Sequence, residues 1–233
     1  MDLIAHRGFA GLSPENLPAS FETAAETADA IEFDVRPCGT GDPVVFHDAV
    51  LDRLTDATGR VDATSPEELR SLSVLGTGTG VPTLDDALDA IPRSVAVEAE
   101  LKHPDGVLAP ETATAPDGGF VDTVVETLAA TPHRVTVASF DPDLIAAVAD
   151  RSRLPTALLT ADGSGVDRAA ELGCRRLHAP HEWLLAPDSG LIDRARDVGL
   201  DVYAWTVRRS ETATALADRG VDGCIADWPD VVT

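Results

Sequence analysis

The chain has 233 residues, 44% of them hydrophobic and only 4% aromatic, with 40 acidic residues against 18 basic and a net charge of −22. That length suits one α/β barrel or one large α/β domain with an aliphatic core, whereas the acidity counts against nucleic acid and anionic membrane as partners and no apolar run reaches the ~18–20 residues of a membrane span. The acids are spread along the whole chain and lysine is nearly absent, which points to salt adaptation, because in molar salt the Debye length falls to about 3 Å and self-repulsion is screened.

Cys38, Cys174 and Cys224 are widely spaced, with no C-x-x-C, and read as buried thiols in a reducing compartment. Met1 runs straight into a strand, without the basic segment and apolar stretch of a signal peptide, so a cytoplasmic location is expected.

In chain order, residues 2–6 (DLIAH) form a short apolar strand that ends in His6-Arg7-Gly8. Asn16 follows turn residues and is placed as the N-cap of a helix to about Asp29. A second strand covers 30–35 (AIEFDV), and 43–47 (PVVFH) returns along it as a hairpin. Residues 49–81 are irregular, apart from a short helix over 66–72 capped by Ser65, and Thr83 caps a helix to Ile91. Strands over 95–101, 134–140, 155–160, 174–178, 201–207 and 223–227 then alternate with helices over 120–130, 141–150, 166–172, 189–198 and 211–219.

Eight strands alternating with helices favour a (β/α)8 TIM barrel over an open doubly wound sheet. His-Arg-Gly-Phe follows the first strand, in place of the G-x-G-x-x-G of a dinucleotide site. Residues 1–233 read as a single domain with a small insertion at about 49–81, too long for an ordinary loop. Too little chain follows Asp227 for a full last helix, so that helix is truncated.

Functional groups of such a barrel sit at the C-terminal ends of its strands. Those ends carry His6 and Arg7, then Glu32 and Asp34, then His47 after the hairpin, then Glu100 and Lys102. Beyond them come Ser139, His178, Trp205, Thr206 and Asp227. Glu32, Asp34 and Glu100 form an oxygen-rich cluster suited to a divalent cation, Mg²⁺ or Ca²⁺; pairing with Arg7 and Lys102 is the alternative. His6 and His47 are candidates for general acid and base. His103 and His133 read as surface or loop residues, and His181 as a loop residue.

Lys102 is the only lysine among the 18 basic residues and lies in the apolar run VAVEAELK. Glu98, Glu100 and Lys102 share one strand face, where three buried charges are costly unless paired.

The ordered set His6-Arg7-Gly8, Pro14-Glu15-Asn16, Glu32-Phe33-Asp34-Val35, Val44 to Asp48, Glu100-Leu101-Lys102, Ser139-Phe140, Trp205-Thr206-Val207 and Asp227-Trp228-Pro229 resembles the glycerophosphodiester phosphodiesterase family along nearly all of the chain. The resemblance implies a TIM barrel with an insertion after the second strand. It implies metal ligation by Glu32, Asp34 and Glu100, an acid–base pair of His6 and His47, and phosphate contacts from Arg7 and Lys102. Phe140 and Trp205 would flank the glycerol of a small-molecule glycerophosphodiester, which is cleaved to sn-glycerol 3-phosphate and an alcohol; no stable membrane association is expected.

Departures from the family pattern are Leu17, Cys38, Thr40, Arg208, Ala226 and Glu98, the last a charge where a neutral polar residue is usual. The alternatives are a related phosphodiesterase acting on lysophospholipid or phosphoinositide head groups, and a non-catalytic phosphate-binding barrel.

Overall fold

Strand residues alternate between two buried environments, and this alternation builds the barrel. In β2 (Ala30–Pro37) Ile31, Phe33 and Val35 join the apolar layer against the helices, while Glu32 and Asp34 occupy the other face. The computed structural model describes residues 1–104 and 118–232. Around the barrel run β1 (Asp2–His6), β2, β4 (Ala96–Leu101), β5 (Val135–Ser139), β6 (Thr156–Leu159), β7 (Arg176–Pro180), β8 (Asp201–Val207) and β9 (Gly223–Ala226), all parallel. Closure is complete because β1 pairs with both β2 and β9. The short β3 (Pro43–Val45) lies antiparallel on the C-terminal end of β2, as the hairpin expectation requires.

The outer layer holds α1 (Pro18–Ala24), α3 (Leu84–Ala90), α4 (Gly118–Ala130), α5 (Pro142–Arg151), α6 (Val166–Glu171), α7 (His181–Leu185), α8 (Leu191–Asp197) and α9 (Ser210–Asp218), with α2 (Pro66–Ser71) in the 49–81 segment. Thr83 and Asp86 make a reciprocal capping box at α3, and Ser65 caps α2. The 49–81 segment has its own apolar cluster, in which Leu51, Leu54, Leu69 and Val74 pack with Leu17 and Phe46. Each fully buried leucine contributes about 1.5–3 kcal/mol, enough to fasten the segment beside the mouth. Among the described residues, a 3-10 turn over Pro229–Val231 follows β9.

Three local expectations change. Asn16 does not cap α1; the N-cap is Leu17 with Pro18 next, and the helix stops at Ala24. The Asn16 side chain is committed to Asp34 instead. His181 opens the short helix α7, and His103 is buried. No helix among the described residues is long and apolar enough to cross a membrane.

Candidate active site

The register of the parallel strands decides which carboxylates meet. Across β2 and β4, Asp34 faces Glu100 and Glu32 faces Glu98, and across β1 and β2, His6 faces Glu32. Glu32, Asp34 and Glu100 each present an oxygen within 4.8 Å of the others, and all three are buried. Burial, with Asp34 and Glu100 alongside, pushes the Glu32 carboxyl well above the usual range. Burial also opposes the charge on Asp34, but Lys102 and Arg7 overcome it and hold that carboxyl well below the usual range. Glu32 Oε1 has no hydrogen-bond partner among the described residues. An oxygen-only cluster with an orphaned buried oxygen fits a hard divalent cation, so the ligand set suits the ion it is expected to hold.

Backbone geometry at the mouth is unusual at three non-glycine residues. Arg7, Phe9 and Asn16 have φ of 52°, 62° and 60°, the left-handed region that costs a non-glycine residue free energy. At Arg7 the backbone N–H donates to Glu32 Oε2 at 2.9 Å. Asn16 donates from Nδ2 to Asp34 Oδ2 at 2.8 Å and accepts from the Asp34 backbone at 3.3 Å. Both strained residues therefore orient members of the carboxylate cluster.

The cations interleave with these acids. Arg7 Nε lies 3.2 Å from Asp34 Oδ2, and its Nη1 donates to Glu15 at 2.9 Å. Lys102 Nζ lies 2.9 Å from Asp34 Oδ1 and also bonds Glu100. Burial disfavours the charge on Lys102, yet Asp34 and Glu100 reverse the balance and keep it protonated. Pairing and metal ligation are thus not exclusive readings of this cluster: two cations already compensate three acids.

His6 and His47 have matching supports. His6 Nδ1 sits 2.6 Å from Asp227 Oδ1, and Asp227 accepts from Arg208 Nε at 2.6 Å. His47 Nδ1 sits 2.6 Å from Asp48 Oδ1, and Asp48 accepts from Arg53 at 2.7 and 2.8 Å. A carboxylate on Nδ1 fixes that nitrogen as the N–H donor and leaves Nε2 as the basic site. Burial lowers the His47 pKa, and Arg7 and Lys102 act with it, outweighing Asp34 and Asp48. Arg36 fixes the backbone here, donating from Nε to the His47 carbonyl at 2.8 Å.

A cavity of about 230 Å³ joins these groups, lined by the polar His6, Arg7, Glu32, His47, Glu100 and Lys102 and by the apolar Phe140, Leu159 and Trp205. Phe140 and Trp205 meet edge to face with centroids 5.5 Å apart. The structure brings together every expected site residue: His6, His47, Arg7, Lys102, Phe140, Trp205, Glu32, Asp34 and Glu100. Ser139 is not among them; its Oγ donates to the Leu101 carbonyl. His178 is fully buried in the barrel and does not reach the mouth. Sequence reasoning missed Asn16, Arg36 and Arg53 as supports. Asp48 follows His47 directly and was discoverable, whereas Arg53 reaches Asp48 and Glu15 only through the fold.

The family model described as the glycerophosphoryl diester phosphodiesterase family matches residues 6–231. The chain is 31% identical to the Bacillus subtilis protein YhdW over 245 residues, covering 100% of this chain and 96% of the relative. It is 30% identical to a glycerophosphodiester phosphodiesterase of Caldanaerobacter subterraneus subsp. tengcongensis, over 99% of this chain and 95% of the relative. Among solved structures, an Oleispira antarctica phosphodiesterase in complex with the product sn-glycerol-3-phosphate aligns with a TM-score of 0.85 at 25% identity, over 98% of this chain and 94% of the other.

Proposed function

The chain belongs to the glycerophosphoryl diester phosphodiesterase family, and from that premise we propose that it is a phosphoric diester hydrolase that cleaves glycerophosphodiesters to sn-glycerol 3-phosphate and an alcohol. The observation that carries this reading is the pair of carboxylate-backed histidines opening on one cavity with three carboxylates, the buried Lys102 and the half-buried Arg7.

Glu32, Asp34 and Glu100 would hold a divalent cation, Mg²⁺ or Ca²⁺, which supplies positive charge against the phosphoryl oxygens. Arg7 and Lys102 bind the same phosphate and offset the charge it gains in the transition state. Phe140 and Trp205 flank the glycerol carbons. His47, neutral near pH 7, takes the proton of the glycerol hydroxyl next to the phosphoester. That oxygen bonds to phosphorus, the bond from phosphorus to the alcohol breaks, and His6 supplies the proton to the departing oxygen. Water then opens the cyclic phosphate with the two histidines in exchanged roles. Asp227 and Asp48 hold the rings and stabilise their protonated forms.

The 49–81 insertion of this single domain braces the site, since Arg53 ties Asp48 to Glu15. The acidic surface suits a salt-rich cytoplasm.

The test is release of sn-glycerol 3-phosphate from glycerophosphoglycerol, glycerophosphocholine and glycerophosphoethanolamine, with and without divalent metal. No release from any of them with Mg²⁺ or Ca²⁺ present would overturn the assignment.

A further inference from the structure

Glu98 lies two residues before Glu100 on the same face of β4, which places it about 6.6 Å deeper in the barrel. It lines the cavity of the proposed active site. Its Oε2 accepts from Arg176 Nη1 at 3.0 Å, but its Oε1 has no hydrogen-bond partner among the described residues. His178 on β7 brings Nδ1 to 3.3 Å from that oxygen, without hydrogen-bond geometry, and neither of its ring nitrogens has a hydrogen-bond partner among the described residues. Trp205 Nε1, from another cavity-lining residue, is also buried and without a partner among the described residues. Buried polar atoms without partners are rare in folded proteins and call for a group that meets them.

The cavity also has apolar walls, Ala138, Leu159 and Ile225, which suit a short carbon chain. A phosphate beside Lys102 and Arg7 would put a three-carbon chain along these walls. From phosphorus to the far hydroxyl of a glycerol phosphate is five bonds, or roughly 6 Å when extended. That span is close to the drop from Glu100 to Glu98. A hydroxyl both donates and accepts, so it meets the Glu98 carboxyl in either protonation state.

We propose that Glu98, held by Arg176, forms the floor of the active-site cavity and binds the terminal hydroxyl of the substrate's glycerol unit, so that it selects a three-carbon diol ester over one lacking that hydroxyl. The subsite rests on the phosphodiesterase assignment for the identity of its ligand. Arg176 stacks on Tyr203, with its guanidinium carbon 4.4 Å from the ring centroid, which keeps it in place on Glu98. A site built to pair a hydroxyl discriminates strongly against the analogue without it, because the buried acceptor is then left unmade.

The test compares calorimetric binding of sn-glycerol 3-phosphate with that of propane-1,2-diol 1-phosphate, which lacks only the terminal hydroxyl, to the full chain with Mg²⁺ present. The wild-type protein is expected to prefer sn-glycerol 3-phosphate by on the order of tenfold. That preference should fall below about threefold in Glu98→Ala. Glu98→Asn, which keeps a polar group but withdraws it by one carbon, serves if the alanine variant does not fold. A wild-type ratio near one, or a preference retained in the variants, overturns the floor. Hydrolysis of glycerophosphodiesters with a ratio near one overturns the floor alone. Preferential binding without any hydrolysis supports the floor and overturns the proposed reaction.

Discussion

Lys102 Nζ lies 2.9 Å from Asp34 Oδ1 on the neighbouring strand and also bonds Glu100, the residue that Asp34 faces in register. The only lysine in the chain thus compensates two members of the carboxylate cluster at once. Lys102→Met leaves both acids buried without it, and removing one partner of a buried pair costs about 3–5 kcal/mol. Urea unfolding should show that loss, together with a fall of at least about a hundredfold in kcat/KM. Lys102→Arg should not restore activity, because a planar fork does not fit a point-charge position between two carboxylates. Near wild-type rates in Lys102→Arg would refute this.

The carboxylate cluster also sets the expected response to chelation. After exhaustive dialysis against EDTA, release of sn-glycerol 3-phosphate should stop, and Mg²⁺ or Ca²⁺ should bring it back. Full activity in EDTA would sink the divalent-ion assignment to Glu32, Asp34 and Glu100.

His6→Ala and His47→Ala should each lower kcat by on the order of 10²–10⁴. Asp227→Asn and Asp48→Asn should cost less, since each removes a support rather than the proton carrier. Burial lowers the His47 pKa, so the acid limb of kcat/KM should lie below the ordinary histidine pKa of about 6.5. A loss under tenfold in both alanine variants would remove the histidines from the mechanism.

Burial lowers the His178 pKa to about 3, with Arg176 adding to the shift. The unfolded chain takes up a proton near pH 6.5 that the folded chain refuses, so the neutral histidine favours folding only above that pH. As pH falls from about 6.5 toward 3, this one group removes up to about 1.4 kcal/mol of stability per pH unit. In urea unfolding at pH 7, 6 and 5, His178→Phe should gain on the wild type as pH drops, while the groups common to both chains cancel. A stability difference independent of pH would show that His178 takes up its proton equally in the folded and unfolded chains.

A net charge of −22 should make the fold salt-dependent. Between 0.1 and 3 M KCl the Debye length falls from about 10 Å to below about 3 Å, and repulsion among surface acids fades. The melting temperature should rise over that range; a flat profile would count against salt adaptation.

By itself the sequence determined the barrel, the strand ends that carry chemistry and the identity of the groups placed there. Those features follow from local rules: period-two alternation in the strands, cap residues such as Thr83 and Ser65, and polar residues at the C-terminal ends of strands. Asn16 reads locally as a cap, and only the fold turned it toward Asp34, because the strained turn after β1 carries it over the carboxylate cluster. Arg53, Arg36 and Arg176 had no sequence signal either, since they lie five, eleven and seventy-eight positions from Asp48, His47 and Glu98, the residues they hold. Glu98 was an unexplained charge in one strand until the closed barrel placed β7 opposite β4 and brought Arg176 and His178 to it. Pairing between distant strands is set by closure and register, which no local pattern encodes, and so the carboxylate cluster was legible from sequence while the supports that orient and compensate it were decided by tertiary structure.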